Sequence, residues 1–328
     1  MRTSIKECLR ILSVAAIALV AIPANADEMK VWRHGIVEAK SDAGIVFMAS
    51  KAGFAEKQGL KIEIKQFKGD TLALKALLAG ELDSYEGNPG SPMIAASRGA
   101  DIKLIGCYWP GLTYAIYSKA SIKSVAELKG KTFAISAPGA LPDLVARAVL
   151  AQNNISAADV KFTVMGSDAD RFKAVTAGIV DAAAASSGFA PAAEKAGVRL
   201  LVHVIEAVPN YVRFCTYSTG KTLATRKEDA AHFLAAEMAG FRHALANRDQ
   251  TIALTREITL AKPDNPLPAF TYDEVKRFSA VDPDMPIPMN KLAWLRDLLV
   301  KTGNLTKPVD LDAFVDGDVR AKALQLSK

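Results

Sequence analysis

Histidine and cysteine are scarce in this chain of 328 residues, with four histidines (His34, His203, His232, His243) and three cysteines (Cys8, Cys107, Cys215). Neither set has metal-ligand spacing, so no metal site is expected. Runs of one charge are missing too. Lys and Arg number 41 against 35 Asp and Glu, for a formal net charge of +6, but no basic tract gathers them. Nucleic acid is therefore not an expected partner. The chain has no Walker loop, no Gly-x-Gly-x-x-Gly after a strand and no Gly-x-Ser-x-Gly elbow. No nucleophile–base pair can be nominated, so the reading is of a non-enzyme without a cofactor. Beyond residue 22 no apolar stretch approaches the about 20 residues that span a bilayer.

What is present begins with a targeting pattern. Arg2, Lys6 and Arg10 precede an unbroken run of apolar and small residues from Ile11 to Ile22, and Ala24-Asn25-Ala26 fits the small-x-small cleavage pattern. Residues 1–26 read as a signal peptide cleaved after Ala26, which exports the mature chain. Cys8 lies ahead of the apolar run and is no lipid-attachment site. The remaining length exceeds the usual single-core limit of roughly 250–300 residues, so two lobes are expected. Cys107 and Cys215 both sit in apolar runs. They can pair in an oxidising compartment; two buried thiols inside strands is the other reading.

Strand and helix patterns alternate. Strands are expected at 29–33, 60–67, 102–107, 114–118, 132–135, 160–165, 198–204 and 212–218. Helices are expected at 43–58, 70–79, from about 141 to 153, and 168–177, with a capping box at Ser124–Glu127 opening a single helical turn. From Lys227 the chain reads as helical, at 228–246, 249–260, 272–279 and 289–302, interrupted by proline-rich links. The alternation implies an α/β fold with mainly parallel sheets. The chain also echoes itself. Ala79-Gly80-Glu81-Leu82-Asp83 is matched by Ala177-Gly178-Ile179-Val180-Asp181, each after a short helix and each followed by small residues and a Gly/Pro turn. Two lobes of similar design are expected.

Ligands of open α/β sheets sit at the C-terminal ends of strands. Five loops qualify: 33–42, with His34 its histidine; Glu86-Gly87-Asn88-Pro89; Tyr108-Trp109-Pro110; Ser136 to Asp143; and Ser186-Ser187-Gly188-Phe189. Ser136, Ser186, Ser187 and Asn88 can hydrogen-bond a solute. A helix opening near Leu141 offers free N–H donors. Tyr108, Trp109, Tyr114, Phe189 and Tyr211 are candidate walls, each with a core role as the alternative. His34 has a plain hydrogen-bonding role at a strand end as its alternative.

With these loops in view, the segments GIVFMASKAGFAEKQGLKIEI, ALLAGELDSYEGNPGSPMIAASRGADIKLIG, SVAELKGKTFAISAPGALPDLVARAVLAQNNISAADVKFTVM and AVTAGIVDAAAASSGFAPAAEKAG resemble a periplasmic solute-binding protein of an ABC importer. The resemblance is to the nitrate/sulfonate/taurine-binding branch, which includes receptors for the thiamine-pyrimidine precursor. It implies a two-lobed type II periplasmic binding protein fold, with two mixed sheets joined by a two-strand hinge at 114–118 and 212–218. Lobe 1 would comprise 27–115 plus 213–328, and lobe 2 would comprise 116–212. The implied ligand-binding residues are His34, Glu86, Gly87, Asn88, Tyr108, Trp109, Ser136, Ala137, Gly139, Leu141, Ser186, Ser187, Phe189, Tyr211 and Arg213. The implied role is capture of a small organic acid or zwitterion, sulfonate- or taurine-like, by a monomer that delivers it to an inner-membrane permease. Glu86 and Asp143 bring negative charge near the loops, and Arg33 and Arg213 are the cations placed to offset it. The alternatives are a receptor for a pyrimidine precursor or aromatic compound, and a pyrimidine-precursor synthase-like enzyme.

Overall fold

The computed structural model describes residues 29–327. The expected signal peptide and its cleavage site lie outside the described residues. Ten strands form two five-stranded sheets. The first contains β1 (Lys30–Val37), β2 (Leu60–Phe67), β3 (Ser84–Gly87), β4 (Lys103–Trp109) and β10 (Phe214–Ser218), in the order β2-β1-β3-β10-β4. The second contains β5 (Tyr114–Lys119), β6 (Thr132–Ile135), β7 (Lys161–Val164), β8 (Ala182–Ser186) and β9 (Val198–His203), in the order β7-β6-β8-β5-β9. In each sheet four strands run in one direction and one runs antiparallel to its neighbours, β10 in the first and β5 in the second. Both sheets are thus mixed, and the fold is two-lobed α/β.

The internal echo has a physical cause. Gly80 and Gly178 end their helices at φ 77° and 72°, a left-handed conformation that glycine adopts without steric cost. Three residues on, Asp83 accepts the Arg33 N–H at 2.8 Å and Asp181 accepts the Thr132 N–H at 2.9 Å. Each aspartate ties the turn before its own strand to the neighbouring parallel strand. Arg33 and Lys119 neutralise the two carboxylates, each at 2.8 Å.

The chain crosses between sheets twice, after β4 at residues 110–113 and on its return before β10. Cys107 on β4 and Cys215 on β10 form a disulfide beside these crossings, which settles the choice left open between a bridge and two thiols. The helix Gly220–Ala246 packs Phe233, Leu234, Met238 and Phe241 under the first sheet with Trp32, Tyr108 and Trp109. Another core runs through both lobes, because Leu144 and Val149 of the helix Leu141–Gln152 join Leu292, Leu295 and Leu299 of the helix Met289–Lys301. The late helical segment therefore packs back on both lobes. Among the described residues no helix is long and apolar enough to cross a membrane.

Local differences from the sequence reading are specific. The helix expected at 43–58 is two short pieces, Ala43–Val46 and Met48–Lys51, then a 3-10 turn at Glu56–Gln58. Gly53 between them takes φ 78°. The first long late helix begins at Gly220, capped by Thr219 accepting from the Thr222 N–H. Its regularity breaks at Arg226 (φ −133°), where the guanidinium is drawn to Asp83, Asp229 and the Trp32 ring.

Candidate functional site

The C-terminal ends of parallel strands from both sheets face one another. A cavity of ≈ 240 Å³ lies there, lined by Glu38, Ala39, Lys40 and Ser41 after β1, Ser167, Asp168 and Ala169 after β7, Ser186, Gly188 and Phe189 at the end of β8, and Leu267. A narrower recess of ≈ 20 Å³ adjoins it through Glu38, Ala39 and Lys40 and is bordered by Asp42, Glu86, Arg213 and Phe214. Together they form a cleft with walls from both lobes.

Bonds span this cleft. Lys40 of the first lobe pairs with Asp168 of the second at 2.8 Å. Ser187 donates to Glu274, which lies on the helix Leu267–Arg277. On the first lobe's side, Ser41 accepts from Thr271 of that helix at 2.8 Å. Asp168 also accepts from Tyr114 and Arg171. Burial opposes its ionisation, but Lys40 and Arg171 outweigh that and hold the carboxyl well below the usual range.

Arg213 forms the floor. Its guanidinium reaches Asp42 at 2.5 Å and Thr113 at 3.2 Å, and it lies over the Trp109 ring (4.1 Å) and the Phe214 ring (4.5 Å). It thereby joins both crossings to the loop after β1. Glu86 sits beside it and accepts the Tyr108 hydroxyl. Burial, with Asp42 adding like charge, pushes the Glu86 carboxyl up to about 8 against the Tyr108 bond and Arg213. Glu237, buried on the helix below, is raised by burial and by Glu86.

A pH dependence follows. Folded Glu86 holds its proton more tightly than an exposed carboxyl, so stability should fall as pH rises from about 4.5 toward about 8 and then level off. The contribution is at most about 1.4 kcal/mol per pH unit. Glu86→Gln should remove that part of the slope in denaturant unfolding across this window. Parallel curves for variant and parent would contradict it.

The expected site residues divide. Glu86, Arg213, Ser186 and Phe189 border the cleft, and Ser187 bridges it. His34 does not line it. It is buried against Phe233 at 4.9 Å and bonded to Ser84 at 2.8 Å, and burial lowers its pKa to about 3, so it is neutral. Tyr108 stacks on Phe241 at 4.6 Å, and Trp109 is fully buried beneath Arg213. Both rings belong to the core behind the floor. Asn88 donates to the Tyr211 hydroxyl at 2.8 Å and accepts the Gly90 N–H at 2.8 Å, which joins the loop after Gly87 to the return crossing. Ser136, Ala137, Gly139 and Leu141 lie away from the cavity. At Gly139 (φ 74°) an added Cβ would meet Asn304 at 2.7 Å, and its carbonyl lies against Gly90. Asp143 accepts the Gly139 N–H at 2.8 Å and pairs with Arg147 at 2.7 Å, so its charge is spent on its own helix. Arg33 is held by Asp83 and offsets nothing in the cleft. Lys40, Ser41 and Asp42 lay in the first candidate loop without being singled out, and sequence reasoning missed Ser167, Asp168, Leu267 and Glu274. The signal available for Asp168 was a helix opening after a parallel strand.

A profile of the family described as NMT1/THI5 like matches residues 40–251, a stretch that contributes to both walls of the cleft. The chain belongs to the NMT1/THI5 like family. This NMT1/THI5 like chain is 30% identical over 152 residues to a Brucella abortus (strain 2308) protein named only as a candidate binding protein. The match covers 46% of each, so the chain spans about half the length of the curated relative it matches. Its fold is that of the periplasmic aliphatic sulphonate binding protein SsuA from Escherichia coli (TM-score 0.73, 21% identity, 89% of this chain and 99% of that one). It is also that of the alkanesulfonate-binding protein SsuA from Xanthomonas axonopodis pv. citri, solved with MOPS (TM-score 0.72, 20% identity, 89% and 100%). At these identities the likeness is one of fold. Among the described residues no three His, Cys, Asp or Glu side chains gather as a metal site.

Proposed function

We propose that this chain is the solute receptor of an ABC importer. It works outside the cytoplasm, captures a small organic acid or zwitterion of sulfonate or taurine type between its lobes, and delivers it to an inner-membrane permease. The observation that carries this is the cavity of ≈ 240 Å³ walled by loops from both sheets. The sulfonate-binding neighbours and the family support it. A disulfide between β4 and β10 suits an oxidising compartment and agrees with the export pattern of residues 1–26. The hinging bodies are 27–115 plus 213–328 and 116–212, and solute favours the closed form through contacts with both.

The test is ligand-dependent thermal stability of the mature protein. Taurine, short alkanesulfonates, MOPS, pyrimidines and aromatic acids are titrated in turn. A true solute should add about 2.7 kcal/mol at a hundredfold excess over its Kd. If none raises the melting temperature, this reading fails. The second reading, a receptor for a pyrimidine precursor or other aromatic, draws on Phe189 at the cavity wall, stacked on Phe172 at 4.7 Å. A rise with the ring compounds alone would favour it. A synthase is the lesser reading, because Cys107 and Cys215 are bonded to one another and neither is a free thiolate.

A further inference from the structure

Two cations border the cleft, and they differ in what they are free to do. Arg213 is 5% exposed and committed to Asp42 and Thr113. Moving it would leave Asp42 buried without its partner. Lys40 is the reverse case. Its side chain is 41% exposed, and its counter-ion Asp168 has a second cation in Arg171. Asp168 keeps the Arg171 guanidinium and the Tyr114 hydroxyl, both buried, if Lys40 turns away. Lys40 is thus a mobile charge whose transfer strands no buried group.

Two hydroxyls stand beside it with protons to give. Ser41 Oγ accepts from Thr271 at 2.8 Å, and Ser186 Oγ accepts the Gly188 N–H at 3.3 Å. Each serine is used as an acceptor, and its own O–H is free to turn toward the cavity it lines. Ser167 is different, because its hydroxyl donates to Asp170 at 2.6 Å. Glu38, also on the wall, is exposed at the rim, where water screens its charge. Among the described residues, the adjoining recess offers no free cation at its inner end, because Arg213 there is committed to Asp42.

We propose that Lys40, Ser41 and Ser186 form the seat for the solute's anionic head, and that Lys40 is the specificity-determining charge, exchanging Asp168 for a sulfonate or carboxylate oxygen. One ammonium and two O–H donors suit an oxyanion with several acceptor oxygens. This rests on the receptor reading above and names the residues that read the acid.

The test uses the mature protein and calorimetric titration with an alkanesulfonate and the matching neutral sulfonamide. Lys40→Met should weaken the sulfonate about tenfold or more, leave the sulfonamide unchanged and abolish the salt dependence of sulfonate binding. Lys40→Arg should recover most of the loss. Ser41→Ala and Ser186→Ala should each weaken the sulfonate several-fold. Asp168 keeps Arg171 and Tyr114 in Lys40→Met, so the variant should still unfold in one cooperative transition, and unchanged sulfonamide binding separates lost charge from lost folding. Sulfonate binding undiminished in Lys40→Met, with its salt dependence intact, overturns the seat and leaves the receptor reading standing. Binding of neutral solutes alone also overturns the seat. Binding of no solute at all overturns both.

Discussion

Replacing Arg213 with alanine should cost about 3–5 kcal/mol of folding stability, read as a lower denaturant midpoint. The size follows from what stays behind. Asp42 is buried, and Arg213 is the cation paired with it at 2.5 Å. Truncation strands that carboxylate and also removes the plate lying over Trp109 and Phe214. Lysine at 213 keeps the charge but loses the planar contact and the second bond to Thr113, so it should fall between. Adding Asp42→Asn to Arg213→Ala should recover part of the loss, because the stranded charge goes with it. A loss under about 1 kcal/mol for Arg213→Ala would show that the pair does not fix the floor.

The second large effect belongs to the disulfide. Removing it in a Cys107→Ala/Cys215→Ala variant should cost about 2–5 kcal/mol, and the sequence separation of 108 residues places it toward the upper end in the chain-entropy view. Both sulfurs are fully buried, so the loss also leaves a gap between β4 and β10. The check is chemical unfolding of the parent and the variant, with and without reductant. Coincident midpoints for all four would remove the disulfide from any structural role.

Much of the fold was legible because local rules and tertiary demands agreed. Strand β2 was read residue for residue, since its alternation of apolar and polar positions matches a half-buried surface. Strand β6 was read as well, bounded by a glycine turn before it and Ser136 after it. The Gly-x-x-Asp echo signalled two similar lobes, and the aspartates proved to tie neighbouring strands. Misreadings came where apolar residues surround an element. Residues 43–49 are buried on every side, so they carry no face from which a helix length can be judged.

The site was less legible, and the cause is long-range pairing. Whether an aromatic at a strand end walls a cleft or fills a core depends on what packs opposite. For Tyr108 that partner is Phe241, more than a hundred residues on. The glycine–proline turn at 136–141 looked like a ligand loop, but its carbonyl and its helix opening meet Gly90 and Asn304. Glu86 and Arg213 could be placed by loop position alone. Lys40 gains its meaning only from Asp168, which is 128 residues away.

Every strand of the second sheet, from β5 to β9, lies between Cys107 and Cys215, whose Cα atoms are 3.8 Å apart. In covalent terms that whole sheet is a loop stitched shut at its base. Its entry and exit points cannot separate, whatever its far end does. Covalently it is a cassette with one point of attachment, and its further contacts are the packing of Leu144 and Val149 on the helix Met289–Lys301 and the bonds across the cleft. It could be exchanged for the corresponding lobe of a relative at two adjacent splice points, leaving the first sheet's strand order untouched.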